Sequence, residues 1–237
     1  MLTRYAPSPT GHLHLGHVVN AIYVWGMARA AGGRVLLRME DHDRIRCRPE
    51  YEARILEDLE WLGFEPDGGL HPLVRQSERD SVYRGALDRL RSTHHIYACE
   101  CSRKHIAGER YDGYCRERGL DDRPGRGLRV RMDAGVERVD DLLLGAIEQT
   151  PARLRLRRML GRLDPPRFAH HPLILKSSGE KLSKSAADTG VRELRRASVN
   201  AEEVIGRAAA AVGLIDQVKS IAARDVADLF KTVTLDT

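Results

Sequence analysis

Residues 4–17 read RYAPSPTGHLHLGH, with two prolines, two glycines and a pair of histidines three apart. His14 and His17, one helical turn apart, would face the same side and could both donate to charge developing on a phosphorus under attack. Gly11 and Gly16 would let backbone or a base approach with no Cβ in the way, while Pro7 and Pro9 would hold the turn. A bare HxxH pair is more often a solvated surface pair, so its surroundings decide. Far along the chain, GEKLSKS at 179–185 places Lys181 and Lys184 three apart on a stretch rich in glycine and serine. Mobile ammonium groups suit a triphosphate whose negative charge shifts toward a pyrophosphate leaving group. Each motif alone could be an ordinary polar loop; together in one chain they point to nucleotide chemistry.

A third group is the cysteines. Cys99, Cys101 and Cys115 cluster, whereas Cys47 has no partner nearby in sequence and reads as packing. Clustered thiols in a reducing compartment suggest a structural zinc ion, since thiolates at tetrahedral spacing are otherwise rare there. The fourth ligand stays open on these grounds, with Tyr111, His105 and Tyr114 as candidates.

The elements that must position these groups follow from periodicity. Leu2 to Ala6 reads as a short strand, and Pro7 to Gly11 cannot continue it. Apolar residues then recur at helical spacing through Leu15, Val18, Val19, Ile22, Val24 and Met27, until Gly32 and Gly33 end the helix. RVLLRME, residues 34–40, has the length and apolar content of a buried parallel strand. The HLGH motif therefore falls where a strand turns into a helix N-terminus, a natural anion site because the first N–H groups lack intrahelical partners. A second helix is expected from Pro49 to Leu62, with Ile55, Leu56, Leu59 and Leu62 on one face and EPDGG as its exit. A third covers Ser81 to Arg91. HIYAC and LRVRM read as short strands around the cysteines, Arg153 to Leu160 as an arginine-rich helix, Leu173 to Lys176 as a strand, and Val191 onward as two or three helices. Alternating β and α elements predict a doubly wound parallel sheet.

Composition sets limits. The 237 residues are 42% hydrophobic and 31% charged, with a formal charge of +5 and a pI near 9.2. This is the balance of a globular chain with an anionic partner such as a nucleotide or RNA. No run approaches the length of a membrane span and no signal peptide opens the chain, so no membrane partner and a cytoplasmic location are expected.

HLGH and KLSKS resemble the two signature motifs of class I aminoacyl-tRNA synthetases. RYAPSPTGHLHLGH with LRMEDHDRIR is similar to the glutamyl branch, and in particular to its short glutamyl-queuosine members, which have a catalytic domain and no anticodon-binding domain. The resemblance implies an α/β fold: a Rossmann-like parallel sheet with a small zinc-binding insertion and a helical C-terminal segment. It divides the chain into 1–98 and 131–190 as the two halves of the catalytic domain, 99–130 as the zinc-binding insertion, and 191–237 as the helical segment. The implied reaction is adenylation of glutamate by ATP with Mg2+, then transfer of the glutamyl group to the queuosine base in the anticodon stem-loop of tRNA(Asp).

By the same resemblance, Arg4, Ala6, Ser8 and Glu40 form the glutamate pocket, with Arg4 a carboxylate fork and Glu40 an acceptor for the ammonium group. His14, Gly16, His17, Lys181 and Lys184 serve ATP, with His14, His17 and Lys184 catalytic. Cys99, Cys101, Tyr111 and Cys115 hold one structural zinc ion. Oligomeric state is not set by sequence, a monomer being the favoured reading. One departure stands out: after about Pro151 several dozen residues of the family pattern, including a strand and a pocket Tyr and Arg, are absent. A remnant that binds ATP or tRNA without charging it, and a different HxGH nucleotidyltransferase, therefore stay as alternative expectations.

Overall fold

The computed structural model describes residues 1–93, 96–102, 111–132, 137–149, 152–162, 166–174 and 190–231. In chain order the elements are β1 (Leu2–Tyr5), α1 (Leu15–Ala30), β2 (Arg34–Leu37), α2 (Pro49–Leu62), α3 (Asp80–Thr93), β3 (Ile96–Cys99), β4 (Gly127–Val130), β5 (Glu137–Asp141), β6 (Gly145–Gln149), α4 (Ala152–Met159), α5 (Val191–Arg196) and α6 (Ala201–Ala211). Short 3-10 helices cover Gln76–Arg79 and Ala223–Phe230. The chain forms two compact units, one of Met1–Arg79 with Ala169–Thr237, the other of Asp80–Phe168.

In the first unit β1 and β2 pair in parallel, from Leu2 opposite Arg34 to Tyr5 opposite Leu37. On its other side β2 bonds to residues 67–76 through single parallel bridges, Leu36 to Gly68 and Met39 to Arg75. β2 is thus the central strand, which explains its apolar content: Val35, Leu37 and Met39 are fully buried. The parallel pairing expected from sequence is present at β1 and β2, while the other two strand pairs among the described residues are antiparallel.

α1 lies against β1 and β2 and also against α6 and the 3-10 helix 223–230. Its sequence is apolar nearly all round for that reason, and Tyr23, Trp25 and Ala28 are buried along with the predicted stripe of Val18, Val19, Ile22 and Met27. Gly26 marks the closest approach. A Cβ there would lie 2.3 Å from the Phe230 ring, so only glycine lets the 3-10 helix seat its aromatic against α1. Tyr5, Trp25 and Phe64 continue the core, with ring centroids 5.2 and 5.1 Å apart, and the Trp25 indole N–H donates to Glu65 O at 2.9 Å. α2 runs from Pro49 to Leu62 as expected and is capped by a left-handed Gly63, burying Ile55, Leu59 and Leu62. Leu56 is only half-buried, and Asp58 is buried in its stead.

In the second unit β3 and β4 are antiparallel, from Ile96 opposite Val130 to Cys99 opposite Gly127. β5 and β6 form a hairpin that periodicity did not reveal, because ERVDD and GAIEQ are short and largely polar. Its turn is held by Asp141 Oδ1, which accepts from the Leu143 and Leu144 N–H groups at 2.9 and 3.0 Å. The arginine-rich helix is present as α4. The strand expected at 173–176 is not found at Leu173 and Ile174, and its remainder lies outside the described residues.

Candidate active site and metal centre

The parallel ladder that begins at Leu2 and Arg34 runs on past both strands. Arg38 N donates to Tyr5 O at 3.1 Å and Glu40 N to Pro7 O at 2.9 Å; past the end of the ladder, Arg48 N at the start of α2 donates to Pro9 O at 3.0 Å. Side chains alternate across such a ladder. Tyr5, Pro7, Pro9, Val35, Leu37 and Met39 face the core, while Arg4, Ala6, Ser8, Leu36, Arg38 and Glu40 take the more accessible face. All four residues of the expected glutamate pocket therefore share one face of one ladder. The Ser8 hydroxyl donates to Glu40 O at 3.1 Å, tying the two segments together. Cys47 Sγ lies 3.9 Å from the same carbonyl oxygen.

Arg38 was not singled out in the sequence, yet its guanidinium pairs with the Glu40 carboxylate, and both side chains are largely covered. The signal was available: Arg38 and Glu40 are two apart in a strand, hence on one face. Beyond Glu40, Asp41 accepts the Ser77 N–H at 2.8 Å and the Ser77 hydroxyl at 2.5 Å. Partial burial opposes the charge on Asp41, but the Ser77 bonds and the nearby Arg75 hold its carboxyl below the usual range.

α1 begins on His14, an extended N-cap whose Nδ1 accepts the Gly16 N–H at 3.1 Å. His17 Nδ1 in turn accepts the His14 N–H at 3.1 Å, and the two ring centroids are 4.0 Å apart. An Nδ1 that accepts carries no proton, so each neutral ring holds its proton on Nε2. Two imidazole donors thus stand side by side over a helix N-terminus, an arrangement that can bind phosphate oxygens. Gly16 has a reason other than admitting a ligand: a Cβ there would sit 2.9 Å from His14 Cε1, so the glycine makes room for the capping ring. Behind this turn the chain returns, with Val191 N donating to Leu13 O at 3.0 Å and Gly190 bridging His14. Lys181 and Lys184, a few residues upstream of that anchor, lie outside the described residues.

In the second unit the Sγ atoms of Cys99, Cys101 and Cys115 lie within 4.8 Å of one another, those of Cys101 and Cys115 at 3.4 Å. Thiolates on a tetrahedral zinc ion with Zn–S bonds of about 2.3 Å stand about 3.8 Å apart, so the three thiols fit such an ion. The Tyr111 hydroxyl points into the cluster, 3.4 Å from Cys99 Sγ and 3.7 Å from Cys101 Sγ, and accepts the Cys115 N–H at 2.8 Å. Tyr114 is instead 64% exposed. His105 lies outside the described residues. Burial opposes ionisation of Cys115, but hydrogen bonds from Tyr111, the Glu100 backbone and the Cys101 and Cys99 thiols bring its thiol down to about 6. Arg118 reaches Cys115 Sγ at 3.8 Å and Arg129 stacks 4.1 Å over the Tyr111 ring, supplying positive charge next to the thiols.

Residues 1–128 match the family model of tRNA synthetases class I (E and Q), catalytic domain. The chain belongs to this family. Within it, the chain is similar to the Glutamyl-Q tRNA(Asp) synthetase of Synechococcus sp. (strain CC9605), 37% identical over 94% of this chain and 87% of that protein. The Glutamyl-Q tRNA(Asp) synthetase of Rhodobacter capsulatus is 48% identical over 56% of this chain and 54% of its own length. That of Symbiobacterium thermophilum is 32% identical over 96% of this chain and 91% of its own. The last match runs over 295 residues, longer than the 237 of this chain, so that family member carries residues that this one lacks. The fold agrees: a glutamate-tRNA synthetase from Elizabethkingia anophelis superimposes with a TM-score of 0.72 over 98% of this chain and 66% of that one, at 23% identity. Among the described residues, no helix of this family member is long and apolar enough to cross a membrane.

Proposed function

We propose that the chain activates glutamate with ATP and transfers the glutamyl group to the queuosine base in the anticodon stem-loop of tRNA(Asp). The observation that carries this reading is the match over 94% of the chain to a relative named Glutamyl-Q tRNA(Asp) synthetase, and the paired imidazoles at the start of α1 support it chemically. In the first step a glutamate carboxylate oxygen bonds to the α-phosphorus of ATP and the bond to pyrophosphate breaks. His14 and His17 donate from Nε2 to the phosphate oxygens, Gly16 lets the His14 ring sit over the turn, and Lys184 with Lys181 neutralises the leaving pyrophosphate. Mg2+ enters with ATP as part of the substrate. On the accessible face of the ladder, Arg4 forks one substrate carboxylate, Glu40 accepts from the ammonium group, and Ala6 and Ser8 line the space between. In the second step the acyl group passes from the adenylate to the queuosine base with release of AMP.

Cys99, Cys101, Cys115 and Tyr111 would hold one zinc ion, which with four protein ligands supplies cross-linking and leaves no position for a reacting water. In this reading residues 1–98 and 131–190 make up the catalytic domain, 99–130 the zinc-binding insertion and 191–237 the helical segment, in a monomer. Two assays test it. Glutamate-dependent ATP–pyrophosphate exchange and transfer of labelled glutamate to queuosine-containing tRNA(Asp) are both expected. ATP binding with no exchange overturns the reading in favour of a non-charging protein, and exchange with a different acid or alcohol reassigns the substrate.

A further inference from the structure

α5 carries Arg192, Arg195 and Arg196 at a spacing that places all three on one side of the helix. Together with Arg54, Glu57 and Asp58 of α2 they line a cleft of about 290 Å³. The charges in it do not balance. Arg54 is ion-paired with Glu57 at 2.5 Å, whereas Arg192, Arg195 and Arg196 make no ion pair among the described residues. Among the lining residues the one remaining acid is Asp58, on the wall of the cleft and 5% exposed; Glu193 of α5 lies near Asp58 without lining the cleft, and the four arginines still outnumber the three acids. Like charges a helical turn apart repel, so three guanidiniums facing one largely covered carboxylate leave a cleft of net positive charge that an anion would complete. Arg195 is also set in place, its guanidinium lying 5.4 Å over the Trp61 ring. The position of α5 matters as much as its charge. Gly190, two residues before Arg192, bridges His14, so the basic face starts beside the paired imidazoles and leads away from them.

We propose that this cleft binds the phosphodiester backbone of the RNA substrate flanking the reacting base, with Arg192, Arg195 and Arg196 each meeting a phosphate. The proposal rests on the reading that the chain acts on RNA, and names the surface that would hold it. A single-stranded or looped RNA whose base sits beside His14 has its neighbouring phosphates within reach of surfaces adjoining that turn. Arginine suits them because its planar fork matches two phosphate oxygens.

The test is binding of the anticodon stem-loop of tRNA(Asp) by fluorescence anisotropy across a salt series. The parent is compared with Arg192→Gln/Arg195→Gln/Arg196→Gln and with a control that removes equal charge elsewhere, Lys219→Gln/Arg224→Gln/Lys231→Gln. Each phosphate contact contributes about 0.7 to the slope of log K against log salt for single strands. The cleft variant is expected to bind at least about tenfold more weakly at low salt and to lose about 2 from that slope, while the control loses much less. Glutamate-dependent exchange without RNA should be unchanged. The single variants, each expected to lose about 0.7 from the slope, a third of the triple variant's loss, stand in if the triple variant does not fold. Equal losses in cleft and control variants, or parent-like binding by the cleft variant, overturn the proposal. So does displacement of the RNA by millimolar inorganic phosphate with no dependence on RNA length, which would make this a small-anion site. Failure of the parent itself to bind RNA overturns the RNA reading as a whole.

Discussion

The His17 ring accepts the backbone N–H of His14 while its own centroid lies 4.0 Å from that of the His14 ring, so each imidazole both caps the helix and holds the other in place. Stability and catalysis are separable at this pair. His14→Asn keeps an N-cap acceptor and should leave the melting temperature near that of the parent, yet lower the rate of ATP–pyrophosphate exchange by about 100-fold through loss of an imidazole donor. His17→Ala should lose both, with about 1 kcal/mol of stability gone as well. Denaturant midpoints measured beside exchange rates check both statements.

Gly16→Ala tests the reason for the glycine. The new Cβ would stand 2.9 and 3.1 Å from the His14 ring, so the ring must leave its capping position. Exchange should fall by about tenfold or more, with a stability loss of about 1 kcal/mol. A variant with parent-like kinetics would show that the ring position is immaterial.

Arg38 pairs with Glu40 on the accessible face of the ladder. Arg38→Met should release the Glu40 carboxylate and raise KM for glutamate about tenfold, with KM for ATP little changed. Steady-state exchange kinetics with each substrate varied in turn decide it. An equal rise for ATP would place Arg38 elsewhere in the mechanism.

Asp58 predicts a pH dependence of stability. Burial pushes its carboxyl up to about 6, the nearby Arg195 and Arg192 working against that shift. In the unfolded chain an Asp titrates near 3.9, so between about pH 4 and 6 the folded state holds a proton that the unfolded state has lost. Stability from this group is complete below about pH 4 and falls as pH rises through 6. Asp58→Asn should therefore be more stable than the parent above pH 6, by about 1 to 3 kcal/mol, the difference shrinking toward zero below pH 4. Urea midpoints of both proteins at pH 4, 5, 6 and 7.5 test the sign.

The cysteine cluster predicts metal content. The purified protein should carry about one equivalent of zinc, lost in Cys115→Ser and on treatment with a strong chelator, with a fall in melting temperature in both cases. Tyr111→Phe should keep three thiols and bind zinc more weakly, while Tyr114→Phe should match the parent. Elemental analysis of each variant distinguishes them, and a fully active protein free of zinc would refute the site.

Much of this was legible along the chain because the relevant geometry is local. Period-two alternation puts Arg4, Ala6, Ser8 and Glu40 on one side of their strands whatever those strands pair with. The HLGH turn carries its own helix start, and a C-x-C pair with a third cysteine fourteen residues on limits what the thiols can do. Other features depended on segments far apart in sequence. Asp58 reads as one polar residue on a surface helix until packing of the first unit buries it, and Gly26 is an ordinary helical glycine until Phe230 arrives against it. The β5–β6 hairpin has too little apolar pattern to announce itself and is held by the Asp141 turn. Residue spacing alone left Tyr111 and Tyr114 both open at the thiols, where the family resemblance named Tyr111 and the fold places its hydroxyl, while the meeting of α5 with α2 in an arginine-lined cleft was fixed only in three dimensions. Periodicity reports how an element is built; burial, charge balance and ligand geometry depend on which distant element it meets.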